Sequence, residues 1–122
     1  MFHSPSVSHR RESGFLVLSL RGEFDLAWAG VLRDELAGPA GSGEHIVLDL
    51  TEVDFLDSTI LGAIVGTHRS CLETGGSLSL VGAAQSVARL LSITQIDQVV
   101  PSYDSVLEAV GQTEEHCDSA TA

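Results

Sequence analysis

The side chains of this chain that could do chemistry gather in one stretch, between Ile46 and Leu72. An apolar block, Ile46–Leu48, is followed by acidic residues and then by two neighbouring hydroxyls, Ser58 and Thr59. Carboxylates beside hydroxyls suit general acid–base work, Mg²⁺ coordination, or a phosphoacceptor site at which a hydroxyl gains charge. Which of these three functions is possible depends on the strands and helices that position the side chains.

The acidic residues could form a Mg²⁺ site or the active site of a metal-dependent enzyme. The loops that follow parallel strands share one edge of a sheet, so carboxylates in them can converge where ligands commonly bind. Solvated loop carboxylates explain the same pattern, and a magnesium-dependent phosphatase also needs a nucleophile arrangement that the sequence lacks. We therefore expect no metal site and no enzymatic activity. The carboxylates concerned are Glu23, Asp25, Glu52, Asp54 and Asp57.

Other catalytic arrangements are missing. The chain contains no lysine, no GxxxxGK[ST] and no GxGxxG, which argues against a kinase or ATPase and against any cofactor. Ser58 and His68 are ten positions apart, about 15 Å along a helix, so they make no catalytic pair. His68 lies on an apolar helix stripe and is expected to be a packed, hydrogen-bonded side chain, in preference to a ligand or base. Cys71 and Cys117 have no CxxC spacing and predict a half-buried thiol and a free one.

Charge narrows the class of partner. The chain has 122 residues, of which 17 are acidic and six are arginine, giving a formal net charge of −11. Nucleic acid would be repelled, because binding it depends on neutralising phosphates with cations. A basic protein surface would be attracted, although the same charge also serves solubility. No apolar run approaches the ~20 residues that span a bilayer, so we expect no membrane insertion and a cytoplasmic location.

The central stretch predicts a strand, a loop and a helix. The continuous apolar block is typical of a strand that is covered on both faces. After the loop, apolar positions recur with helical spacing, and either Asp57 or Ser58 can be the N-cap. Gly62 and Gly66 lie on one helix face, where they favour close packing on the sheet over contact with a partner. The predicted inward stripe is Leu61, Ile64, Val65, His68 and Leu72.

The flanking segments predict further strands and helices. Residues 1–12 are a loose lead-in or an edge strand, and residues 15–20 are a strand ended by Gly22. Asp25 caps a first helix that Gly38-Pro39 stops, and residues 40–44 form a loop. The inward positions of that helix are Ala29, Leu32 and Leu36.

The second half continues the alternation of strands and helices. Gly75-Gly76 ends the central helix, and a strand contains Leu78, Leu80 and Val81. A third helix then buries Val87, Leu90 and Leu91, before a brief strand at Val99-Val100 that Pro101 halts. A fourth helix buries Val106, Leu107 and Val110. Residues 13–111 form one domain and residues 112–122 a flexible acidic tail. Alternating strands and helices indicate an α/β fold with a mixed sheet.

Three motifs resemble those of one family, the STAS domains of sulfate transporters and anti-sigma factor antagonists. Residues 57–61, Asp-Ser-Thr-Ile-Leu, are similar to the family's Asp-Ser-Ser/Thr-Gly-Leu turn. Residues 22–27, Gly-Glu-Phe-Asp-Leu-Ala, are similar to its Gly-Glu-Leu-Asp-Leu-Ala start of the first helix, and residues 88–91 resemble its third-helix pattern. Their order and spacing extend the likeness over residues 10 to 111. It implies a STAS-type sandwich with a mixed sheet of four to five strands and about four helices.

The chain departs from the family pattern at three positions. Ile60 stands where glycine is usual, Trp28 where a small or hydroxyl residue is common, and Gln95 where a glycine usually ends the third helix. Ile60 affects the expected shape of the partner surface. Trp28 either plugs the groove beside the Ser58 turn or anchors a partner.

The resemblance implies a partner-switching regulator of transcription. Such an antagonist binds an anti-sigma factor serine kinase and frees the sigma factor; phosphorylation of its serine releases the kinase, and a serine phosphatase resets it. Ser58 matches that serine, with Thr59 as the alternative acceptor. The implied contact surface comprises Glu23, Asp25, Trp28, Asp54, Asp57, Thr59, Ile60, Ala63 and Thr67, the last three on the outer side of the helix.

Two other functions stay open. A STAS domain can be a scaffold or sensor that binds a small ligand or partner without a serine switch, as in stressosome-like or lipid-transport-like assemblies. A small hydrolase or phosphatase could use the acidic edge, and its turnover would require Mg²⁺ and Asp54. Recovery of a kinase that depends on the charge at Ser58 would separate the switch from both.

Overall fold

The computed structural model describes residues 5–82 and 85–111. The expected tail, residues 112–122, and its Cys117 lie outside this part of the chain. The strands are β1 (Ser6–Glu12), β2 (Phe15–Phe24), β3 (His45–Leu56), β4 (Ser77–Val81) and β5 (Ser102–Tyr103). The helices are α1 (Leu26–Gly41), α2 (Ser58–Glu73) and α3 (Gln85–Ile93), with a 3₁₀ turn at Ile96–Gln98 and helical residues 106–111, named α4.

The five strands form one mixed sheet in the order β1-β2-β3-β4-β5. β1 runs antiparallel to β2 at the edge, and the other neighbouring pairs are parallel. Helices α1, α2 and α3 connect the successive parallel strands, as such crossovers require. The predicted α/β architecture with a mixed sheet is confirmed.

The central strands are buried on both faces, which explains their continuous apolar runs. Leu18 and Leu48 are fully buried in the main core beneath α1, α2 and α3. Val17 and Val47 are equally buried on the opposite face, in a smaller cluster with Val110 of α4. Neither face is left to alternate with polar side chains, so period-two patterning disappears from the sequence.

β3 continues through the acidic segment that the sequence assigned to a loop. Two register shifts against β2 each add one residue to β3, between Ser19 and Arg21 and between Gly22 and Glu23. Such bulges break the regular alternation of a strand. Val53 and Leu56 are consequently both buried although they are three residues apart. Only Asp57 separates β3 from α2.

The first helix passes through the predicted stop at Gly38-Pro39 and ends at Gly41. Its last turn is held by tertiary contacts: Ala40 is buried, and its carbonyl accepts a 2.5 Å hydrogen bond from the Thr74 hydroxyl at the end of α2. The Ser42 amide closes the turn by donating to the carbonyls of Gly38 and Pro39. The predicted loop at 40–44 is therefore wrong in its first two residues.

The predicted strand at Val99-Val100 is also wrong. Val100 is buried beyond the 3₁₀ turn, and the strand follows Pro101. The Leu80 amide donates to the Pro101 carbonyl at 2.9 Å, so the proline begins the pairing through its oxygen and loses nothing by having no N–H.

Two further details of the C-terminal half concern the buried face of α4 and the backbone conformation of Gln95. In α4 the predicted inward Leu107 is 77% exposed, and the buried position belongs to Ala109. Gln95, which takes the place of the family's glycine, adopts the left-handed conformation with φ of 63° that glycine would favour.

Candidate functional site

The carboxyl ends of β2 and β3 bring the starts of two helices together at one edge of the sheet. Phe24 pairs with Leu56, and the residue after each strand, Asp25 and Asp57, is the N-cap of the following helix. The Asp57 amide donates to the Phe24 carbonyl at 3.2 Å. This edge, with Glu23, Asp25, Asp54, Asp57 and Ser58, is named the acidic rim.

The capping geometry separates the roles of Asp57 and Ser58, which the sequence left open. Asp57 Oδ1 accepts from the amides of Thr59 at 2.9 Å and Ile60 at 3.2 Å. Ser58 is the first residue of α2, exposed, and no described residue hydrogen-bonds to its hydroxyl. Asp57 therefore satisfies the helix start, and the Ser58 hydroxyl is free to meet another molecule. Thr59 is only half-exposed.

The carboxylates of the rim do not form a metal cage within the described part of the chain. Asp25 and Asp54 are exposed, whereas Glu23 and Asp57 are half-buried. Within residues 5–82 and 85–111, no three His, Cys, Asp or Glu side chains are placed to hold one metal ion. Glu52 lies further back and pairs with Arg21 at 3.3 Å. The rim thus carries four carboxylates in the segments that lead into the two helices, and one of them, Asp57, directly precedes Ser58.

Three predicted contact residues lie on the wrong side of α2. Ile60, Ala63 and Thr67 are buried, with exposed fractions of 0, 4 and 7%. The Thr67 hydroxyl donates to the Ala63 carbonyl at 2.8 Å. These residues cannot form an outer contact surface in the folded domain, and Ile60 fills the core where it was expected to shape the partner surface.

The error comes from the width of the buried face. α2 packs on the sheet and also against α1, so its buried arc spans residues 60–61, 63–64, 67–68 and 71. The predicted stripe was narrower because it assumed that α2 packs on the sheet and on no other helix. Leu72, its last member, is 60% exposed.

Gly62 and Gly66 also differ from the prediction that they sit tightly on the sheet. Both are exposed, and a Cβ added to either would meet no heavy atom within 4 Å. They lie on the outer face of α2, in a shallow groove of about 440 Å³ that begins at Ser58.

Trp28 is packed at the end of β2. It is partly buried against the main core, and its ring meets that of Phe24 edge-on, with centroids 5.4 Å apart. Two apolar side chains on this edge that were not predicted to be exposed, Leu26 and Phe55, are 67 and 46% exposed. Phe55 follows the bulged Asp54, so strand alternation gave no signal for its exposure.

The remaining reactive side chains belong to the interior. His68 is buried, burial lowers its pKa, and its Nδ1 has no hydrogen-bond partner within the described residues. Burial also raises the pKa of the Cys71 thiol, which keeps it protonated and poorly nucleophilic. The expected packing of His68 agrees with its burial, whereas the expected hydrogen bond is not made at Nδ1 within the described residues.

Comparison with known proteins places this geometry in a family. Residues 6–109 match the model of the STAS domain. The chain belongs to the STAS domain family. Among curated STAS relatives, the anti-sigma-B factor antagonist of Bacillus subtilis (strain 168) is 32% identical over 95 residues, covering 78% of this chain and 87% of that protein. The anti-sigma F factor antagonist of Paenibacillus polymyxa is 31% identical over 110 residues, covering 88 and 92%.

A solved structure agrees with this chain in fold. An anti-sigma factor antagonist from Mycobacterium paratuberculosis superposes with a TM-score of 0.81 at 24% identity, covering 89% of this chain and 93% of that one. Among the helices at 5–82 and 85–111, none is long and apolar enough to cross a bilayer.

Proposed function

We propose that this chain is an anti-sigma factor antagonist that binds an anti-sigma factor serine kinase and is released when Ser58 is phosphorylated. Two relatives more than 30% identical over most of this chain carry the name of anti-sigma factor antagonist. The observation that carries the switch is the exposed Ser58 hydroxyl, which does not cap the helix and directly follows the capping carboxylate of Asp57.

The chemistry required of the chain is small. The kinase would transfer the γ-phosphoryl group of ATP to Ser58 Oγ, which loses its proton, and ADP would leave. The product carries about −1.5 to −2 charges at neutral pH. Because the partner supplies the nucleotide, the chain needs only an accessible hydroxyl on a rigid helix start.

The capping geometry indicates why the added charge would act on the partner. A phosphate at a helix N-terminus is ordinarily satisfied by the free amides of the first turn. Here the amides of Thr59 and Ile60 already donate to Asp57. The phosphate would also lie near the carboxylates of Asp54 and Asp57, which repel it. A partner fitted to a neutral hydroxyl would then have to desolvate a dianion or leave.

The acidic rim also fits the encounter with a kinase. A chain with a net charge of −11 attracts a basic surface, and such steering raises the association rate. A serine phosphatase would reverse the modification and restore binding.

The test is recovery of partners from the source cells with four baits: wild type, Ser58→Ala, Ser58→Asp and Ser105→Asp. Ser105 is a matched control because it is exposed, its hydroxyl accepts a 3.1 Å hydrogen bond from the Glu108 amide at the start of α4, and α4 packs on the opposite face of the sheet from α2. Aspartate can keep that cap, so the control adds one charge without loss of the helix start.

We expect wild type, Ser58→Ala and Ser105→Asp to recover an ATP-binding serine kinase, and Ser58→Asp to recover much less. Equal recovery by all four baits would reject the switch and favour a scaffold or sensor. Phosphopeptide mapping then distinguishes Ser58 from Thr59.

A further inference from the structure

The solvent side of α2 carries a series of residues with the spacing of a helix-packing face. Ser58, Gly62, Val65, Arg69 and Leu72 follow one another at intervals of four, three, four and three. This alternation keeps side chains on one stripe of a helix, as at the contact between two helices. Leu72 is 60% exposed, and Val65 is only partly buried. The stripe is thus partly apolar, and Thr94 and Ile96 line the other side of the groove that contains it from Ser58 to Arg69.

Gly62 of this stripe and Gly66 beside it leave the groove with no side chain at two positions. Gly62 and Gly66 line both the groove on the Ser58 side and a second groove of about 320 Å³ between α1 and α2. We name these two residues the glycine saddle. Glycine inside a helix is less stable than alanine, and the open space around both positions gives no internal packing reason for it. Close approach of another backbone does provide a reason.

The arginines divide into two groups that differ in pairing. Arg10, Arg11 and Arg21, on β1 and β2, each pair with a glutamate. Within residues 5–82 and 85–111, the arginines of the helical layer make no ion pair, and all three are exposed; they are Arg33, Arg69 and Arg89.

Two of these unpaired cations border the saddle. Arg33 lines the groove between α1 and α2, and Arg69 lines the groove that begins at Ser58. In a chain of net charge −11, unpaired cations at these positions favour an acidic group on the partner.

We propose that this face of α2 docks one helix of the partner, with small or apolar residues over the glycine saddle and Leu72 and an acidic side chain opposite Arg69. The inference rests on the proposed function, because the groove starts at Ser58 and continues the surface that the kinase would cover. Ser58 to Leu72 spans about 21 Å, so about 14 residues of partner helix cover the face. A second copy of the chain fits less well, because two strongly acidic chains repel each other.

The first experiment places a photo-crosslinking amino acid at Leu72 of the full chain in the source cells. A matched position is Leu107, which is 77% exposed on α4, across the sheet from α2. We expect a crosslink from position 72 and not from 107, and we expect mass spectrometry to map it to a helical segment containing Asp or Glu. Absence of a crosslink at 72, a crosslink to a second copy, or one to a basic or non-helical segment overturns the inference.

The second experiment purifies the partner that the crosslink identifies and measures its affinity for variants of this chain that change charge or shape. We expect Arg69→Glu to weaken the Kd about tenfold or more, and the opposing acid→Arg change in the partner to restore it. Arg89→Glu is the matched control, because Arg89 lines neither groove. Unchanged affinity of Arg69→Glu, or loss without rescue, contradicts the assigned pairing.

The shape of the saddle is tested with Gly66→Leu, against Gly30→Leu in α1, which is also exposed with open space around it and lines neither groove. Both variants should unfold at wild-type or higher urea concentration, because leucine is the better helix former. Only Gly66→Leu should lose about tenfold or more in affinity, as overpacking at a close contact predicts. Equal affinity of the two variants overturns docking over the saddle.

These outcomes separate the docking surface from the kinase switch. A crosslink from position 72 to an acidic helix of a protein that is not a kinase supports the surface and rejects the proposed function. Recovery of a kinase that Ser58→Asp abolishes, with no effect of Gly66→Leu or Arg69→Glu, supports the function and rejects the surface.

Discussion

Asp57 both caps α2 and holds the amides that a phosphate on Ser58 would otherwise use. Replacing Asp57 by Ala removes the acceptor of two hydrogen bonds, from Thr59 and Ile60. Loss of an N-cap of this kind costs about 0.5–2 kcal/mol of folding free energy. Asp57→Ser keeps an oxygen in the capping position, and we expect it to remain within about 0.5 kcal/mol of wild type.

Asp57→Ala also tests whether the occupied amides of the first turn decide how a negative charge at position 58 affects stability. A negative group at a helix start with free amides is worth about 0.3–1 kcal/mol. We therefore expect Ser58→Asp to stabilise the Asp57→Ala background by about that amount. In wild type it should give no gain, because the amides are occupied and Asp57 repels the new charge.

The assay is a double-mutant cycle of urea unfolding at low ionic strength, with wild type, Asp57→Ala, Ser58→Asp and the double variant. The slope with urea should stay constant, which shows that only stability has changed. If Ser58→Asp stabilises wild type as much as the Asp57→Ala background, the explanation of the charge switch by occupied amides is refuted.

Three further predictions concern the interior. Burial lowers the pKa of His68, so as the pH falls the unfolded chain takes up the proton before the folded chain does. The stability of the fold that depends on a neutral His68 is therefore present above pH ~6.5 and lost as the pH falls below it. His68→Leu should lose less stability than wild type between pH 8 and pH 5, and equal losses would contradict this. Ile60→Ala should cost about 2–5 kcal/mol in urea unfolding, since Ile60 is fully buried, whereas a loss below about 0.5 kcal/mol would mean that it is a surface residue. Gln95→Gly should raise stability by up to about 1 kcal/mol by removing the left-handed strain of a side chain, and a decrease in the unfolding midpoint would contradict this.

Local sequence patterns predicted the parts of the fold that follow local rules. The apolar run at Ile46–Leu48 indicated a strand covered on both faces, and α2 with α4 provides those two covers. The capping role of Asp25 was predicted correctly, because a short acceptor just before a helical period has few other uses at that position.

The errors in the fold come from contacts that are distant in sequence. The bulges that carry β3 to Leu56 depend on its register with β2. The last turn of α1 passes Pro39 because Ala40 is held by Thr74, 34 residues away. Strand β5 follows Pro101 because β4 supplies the donor for its carbonyl.

The candidate site was predictable in position and only partly in orientation. Helical spacing placed the helix start at Asp57 or Ser58, and the structure has Asp57 as the N-cap and Ser58 as the exposed first residue. The same spacing could not show that α1 packs against α2, which buries Ala63 and Thr67 and leaves Gly62 on the surface. The spacing of apolar residues predicts the face of α2 that packs on the sheet, whereas α2 also packs against α1.

The most direct measurement is the affinity of the purified kinase for the unmodified chain and for the same chain phosphorylated at Ser58. We expect the unmodified chain to bind and the phosphorylated chain to bind at least about tenfold more weakly, since a buried dianion without a partner costs more than 1.4 kcal/mol. Treatment with a serine phosphatase should restore the affinity. Equal affinity of the two forms, or modification at Thr59 with Ser58 left free, would contradict the proposed switch.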